Sequence, residues 1–134
     1  MLINYSKKTK TSKKLTKKEF NKKINMYIEN DERKLLWELA FDYSPESNEI
    51  EDMTKIANYY INQKDGYYIC ELISIASEYL NIDDIINKII ETKDINLISY
   101  VMTNNIINGI IDDKYFVKLK QAMKKYLWYV LYLF

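Results

Sequence analysis

The chain has 134 residues, 48% of them hydrophobic, which suits one domain with a real core and is too short for two. It has no His and one Cys, Cys70, which excludes an internal disulfide, a Ser-His or Cys-His nucleophile and a zinc cluster. A formal charge of +1 hides three zones: +8 over residues 1–23, −12 over 24–113 and +5 over 114–134.

Residues 1–15 are polar and Lys-rich and read as a partly disordered basic arm; residues 16–134 read as a single domain. Strand signals are poor, with no sustained apolar–polar alternation and only two Gly for tight hairpins. Helical spacing is strong. Thr16-Lys17-Lys18-Glu19 is a candidate capping box, followed by Phe20, Ile24, Tyr27 and Ile28 on one face. Leu36, Leu39, Ala40 and Tyr43 mark a second helix, expected to stop at Ser44-Pro45 because Pro disfavours helix in the residue before it.

Asn48 with Glu51 is the next expected cap, and Ile50, Met53, Ala57, Tyr60 and Ile61 form a third stripe. A fourth follows Asp65 with Ile69, Leu72, Ile73, Ala76 and Leu80, and a fifth follows Asn81 with Ile82, Ile85, Ile86, Ile89 and Ile90. The sixth, after Asp94, uses Ile98, Val101 and Met102 and is expected to run to Asn108-Gly109, where Gly takes a left-handed cap. From Asp112 a longer helix carries Phe116, Leu119, Met123, Tyr126 and Val130. The expectation is an all-α protein of six or seven helices.

Landmarks recur along these stripes. A shift of 29 residues lays Asp65 on Asp94, Ile69 on Ile98, Leu72 on Val101, Ile73 on Met102, and Ile82-Asp83-Asp84 on Ile111-Asp112-Asp113. Ile50-Glu51-Asp52 is a third copy of the last signature. Each acid pair falls where a helix begins, a place that the helix dipole favours for negative charge. This layout, over residues 31–125 with units near 31–63, 64–92 and 93–125, resembles the helix pairs of HEAT-like repeats. The resemblance implies a small right-handed stack of about three antiparallel pairs and a noncatalytic scaffold that grips another macromolecule. An irregular helical bundle is the competing architecture.

Nineteen Lys against one Arg, Arg33, point to the codon usage of an AT-rich genome, a low-GC bacterium or its phage. No apolar stretch follows the basic start as in a signal peptide, so a cytoplasmic, intracellular setting is expected. There is no Gly-rich phosphate loop and no EF-hand pattern. Neither catalysis, cofactor nor metal is expected.

Three surfaces invite a partner. Lys7, Lys8, Lys13, Lys14, Lys17, Lys18, Lys22 and Lys23 offer sequence-blind phosphate contacts, although no aromatic between residues 6 and 19 supplies a stacking platform. Glu51, Asp52, Asp83, Asp84, Asp112 and Asp113 suit an acidic surface that mimics nucleic acid and inhibits a host defence nuclease, in the manner of anti-CRISPR proteins. Residues 126–134, YLWYVLYLF, are all apolar or aromatic. As helix they span about 14 Å, under half of a bilayer core of about 30 Å, so no transmembrane segment is expected. Packing as a closing helix, a homodimer or partner interface, and membrane-surface docking remain open for them. Trp128, Tyr129 and Tyr132, with Tyr67 and Tyr68, are the expected contacts to another protein.

Overall fold

The computed structural model describes residues 15–42 and 50–133, with side chains at all of these but 50, 106, 129, 130, 132 and 133. Lys7, Lys8, Lys13 and Lys14, the stop expected at Ser44-Pro45 and the cap expected at Asn48 lie outside the described residues. Those described form helices α1 (Lys17–Glu29), α2 (Arg33–Phe41), α3 (Ile50–Asn62), α4 (Gly66–Ala76), α5 (Ile82–Glu91), α6 (Ile95–Met102), the single turn α7 (Asn105–Asn108) and α8 (Asp113–Leu133), with a 3-10 turn at Ser77–Tyr79. No strand occurs among them. The fold is all-α, with seven helices longer than one turn.

Side-chain caps set most of the starts. Thr16 and Glu19 complete the capping box on α1, and the side chains of Asp65, Asn81 and Asp94 accept from Tyr68, Asp84 and Leu97 N–H to open α4, α5 and α6. Two helices end earlier than their stripes suggest. α4 stops at Ala76 and passes through the 3-10 turn, so Leu80 is buried from extended backbone. α6 stops at Met102 because the Asn104 side chain accepts from Ile107 N–H and starts α7 afresh. The left-handed cap expected at Gly109 is therefore absent: no Gly among the described residues has positive φ.

The left-handed positions are Asp31, Lys64 and Lys93, with φ of 53, 54 and 58°. Each sits between two helices in the same turn. Asp31 N–H reaches Ile28 O and Glu32 N–H reaches Tyr27 O; Lys64 N–H reaches Ile61 O and Asp65 N–H reaches Tyr60 O. These paired bonds back into the ended helix are the Schellman pattern. At the third turn Lys93 N–H reaches Ile90 O, while Asp94 N–H turns to the Thr92 hydroxyl instead, at 3.2 Å.

The three turns fold α1 on α2, α3 on α4 and α5 on α6. The pairs stack in two layers: α1, α3, α5 and then α8 in one, α2, α4 and α6 in the other, with α8 also lying against α6. Recurring polar links tie layer to layer. Lys55 on α3 donates to Asn25 on α1, and Lys88 on α5 donates to Asn58 on α3 at 2.8 Å. At the turns, Arg33 bonds Asp65 at 2.9 Å and Lys64 lies 3.7 Å from Asp94. Asp65 and Asp94 each cap a helix with one oxygen and take the cation from the previous turn with the other. One continuous core fills the interior, with Ile24, Leu36, Met53, Tyr60, Ile73, Ile86, Ile98 and Ile107 among its most enclosed side chains.

Candidate protein-binding surfaces

α8 is a helix of two halves. Tyr115, Leu119 and Ala122 are buried, and Met123 and Tyr126 pack partly against the core. The stripe runs through Tyr115, so Phe116, expected in the core, is 37% exposed. Past Tyr126 the helix loses its support. Leu127 is 43%, Trp128 73% and Leu131 64% exposed. The cause is a mismatch in length. At 1.5 Å per residue α8, with 21 residues, is about 31 Å long, against about 15 Å for α5 and about 12 Å for α6, with 10 and 8 residues. The expected contact Trp128 thus lies on an overhanging end; the side chains of Tyr129 and Tyr132 are outside those described. No helix among the described residues is long and apolar enough to cross a membrane.

Tyr67 and Tyr68 lie at the start of α4 and differ in burial. Tyr67 is 54% exposed, whereas Tyr68 is half-buried and stacks on Tyr60, with centroids 5.4 Å apart and planes 19° apart. Tyr67 meets Tyr68 edge-on at 5.0 Å. Burial is the main cause that raises the pKa of Tyr68, followed by the nearby Tyr67, Asp65, Glu71 and Glu38. Tyr100, on α6, comes up beside them, and it was absent from the residues singled out in sequence. Nothing in the sequence marked it, because Gly66 directly follows the Lys64-Asp65 turn and reads as part of it.

The acid pairs are occupied in different ways. Glu51 and Asp52 lie in the first turn of α3, as Asp83 and Asp84 do in α5. Asp52 is buried, Asp84 pairs with Lys88 at 2.8 Å, and Asp83 lies near Tyr115, whose pKa is raised first by burial and then by Asp83. The third copy is shifted in register: Asp112 precedes α8 and caps it by accepting from Lys114 N–H at 2.9 Å, and Asp113 is its first residue. Of the basic residues described, Lys17, Lys18 and Lys22 are exposed and Lys23 is half-buried, all on α1. An open cleft of about 450 Å³ runs beside α1 and α3, lined by Lys17, Asn21, Glu51, Asp52 and Lys55 among others.

Cys70 is buried, and burial pushes its thiol up to about 12, so it stays protonated and unreactive near neutral pH. Among the described residues no three His, Cys, Asp or Glu converge as a metal site. No family model, curated protein or solved structure matches the chain.

Proposed function

We propose that the protein is a noncatalytic helical-repeat module that binds another protein by inserting the overhanging end of α8 into a groove on that partner. The observation that carries this reading is the exposure of Leu127, Trp128 and Leu131 beyond the last supported turn. Aqueous exposure of three large apolar side chains on one short segment favours association, since each returns about 1.5–3 kcal/mol when fully buried. A groove fits better than a flat face. Every residue from 126 to 134 is apolar or aromatic, so a helix there has no polar side to leave in water and gains most when enclosed.

Pairing of two such ends is a weaker reading. A seven- or eight-residue contact between two helices falls well short of the ~800 Å² per partner of a stable interface. Acidic mimicry of nucleic acid has less behind it too, because Asp52 is buried and Asp84 is already paired.

The test compares the full chain with one ended at Tyr126 and with Trp128→Ala/Leu131→Ala. Partner capture from cells that encode the protein, sedimentation at rising concentration, and binding to neutral and anionic vesicles are read in parallel. The expected result is one partner retained by the full chain and lost by both variants at unchanged helix content. Equal capture by all three, concentration-dependent dimers, or vesicle binding alone would overturn the groove reading.

A further inference from the structure

The layer built from α2, α4 and α6 presents two aromatic rings, Tyr67 at 54% and Tyr100 at 43% exposure. Gly66 explains how the second is seated. A Cβ at Gly66 would lie 2.7 Å from Tyr100 Cδ1 and 3.0 Å from its Cγ, so the ring rests against the bare backbone at the start of α4. The φ of Gly66 is not positive, and an ordinary helix former would suit its backbone. Glycine there serves the ring alone. Core burial alone does not account for the arrangement, because Tyr100 keeps 43% of its surface exposed. Tyr67, next in sequence, is held edge-on by Tyr68, which is itself stacked on the buried Tyr60. Two partly exposed rings are thus held at the start of α4, one against Gly66 and one against Tyr68.

A carboxylate lies beside them: Glu71 is one turn on from Tyr67, while Glu38 of α2 comes near Tyr68; both are half-buried. Among the described residues neither side chain makes an ion pair or hydrogen bond. Tyr100 has its pKa raised first by burial and then by Cys70, Tyr67, Glu71 and Asp65. α4 and α6 contain no basic residue, and of the two cations on α2 Arg33 is tied to Asp31 and Asp65, leaving Lys34. Partly desolvated carboxylates without a counter-charge favour an incoming cation, and ring faces attract one too, Arg most of all.

We propose that Tyr67, Tyr100 and Glu71 form a receptor for an arginine or lysine side chain within a basic segment of a partner protein. The receptor is a second surface and does not rest on the reading given to α8.

The probe is a decapeptide of alternating Arg and Gly, with a counterpart in which Gln replaces Arg, titrated calorimetrically against the full chain. The Arg peptide binds and the Gln peptide does not. Tyr67→Ala and Tyr100→Ala each weaken binding by about two- to fivefold, the scale of a partly exposed cation–π contact. Tyr67→Phe and Tyr100→Phe retain it, which guards against loss by misfolding. Glu71→Gln weakens it mainly at low salt. Gly66→Ala weakens it in the native chain and has no effect on a Tyr100→Ala background. Absence of binding, or a loss produced equally by Asp83→Asn/Asp84→Asn, would reduce the interaction to overall charge and overturn the receptor.

Discussion

Arg33 stands alone among nineteen lysines because its position needs a fork. Its Nε bonds Asp31 at 2.8 Å, its Nη1 bonds Asp65 at 2.9 Å and its Nη2 reaches Gln63 at 3.3 Å, so one planar group ties two consecutive turns. A lysine keeps the charge but not that geometry. Arg33→Lys should lower stability by about 1 kcal/mol in urea unfolding, a cost that charge conservation alone would not produce. The left-handed turns separate strain from contact. Lys93 adopts positive φ and its side chain has no hydrogen bond or ion pair among the described residues, so Lys93→Gly should raise stability by about 0.5–1 kcal/mol. Asp31→Gly, which also loses Arg33 and the Tyr59 hydroxyl, should lower it. At alkaline pH the buried acids decide the slope. Burial raises Tyr60 well above the ordinary tyrosine range and takes Cys70 from 9.0 to about 12. Between those two Cys70 values the unfolded chain releases a proton that the folded chain keeps, so stability is full below pH 9 and falls as pH rises. Cys70→Ala should make denaturant midpoints fall less steeply across that window.

At the scale of elements, α8 divides at Tyr126. Leu119 is 1% exposed and Leu131 64%, so Leu119→Ala should cost about 2–4 kcal/mol and Leu131→Ala under about 0.5 kcal/mol in thermal unfolding. Sequence could not locate that division, because the pattern from 126 onward is apolar on every side and has no polar face to mark solvent. The limit is set by the shortness of α5 and α6, and the latter by Asn104, whose side chain can either ride a helix or cap the next one. The stripes from Phe20 to Met102 were legible, being single-faced at helical spacing. In α8 the expected Leu119, Met123 and Tyr126 do face the core, and only the first member was misplaced, at Phe116 instead of Tyr115, because both are large aromatics and the flanking pattern does not choose between them.

Over the whole molecule, the recurrence of Lys64-Asp65 and Lys93-Asp94 was visible in the sequence, but its geometry was not. Lysine is an unusual occupant of a left-handed cap, so residue type gave no sign of it. The layer links Asn25–Lys55 and Asn58–Lys88 were equally hidden, since the 30-residue spacing within each link differs from the 29-residue shift that aligned the stripes. Of the residues on the two proposed surfaces, Trp128 and Tyr67 stand out by side-chain chemistry, whereas Tyr100 comes beside α4 only when the helices lie abreast. Both surfaces depend on the same packing: stacked pairs satisfy the core and leave the end of α8 uncovered. Tryptophan emission reads this directly. In a Trp37→Phe chain Trp128 is the sole reporter. In dilute solution it should emit at the wavelength of tryptophan in water and be quenched freely by acrylamide. Blue-shifted emission shielded from the quencher would contradict the account, because that end of the helix would then belong to the core.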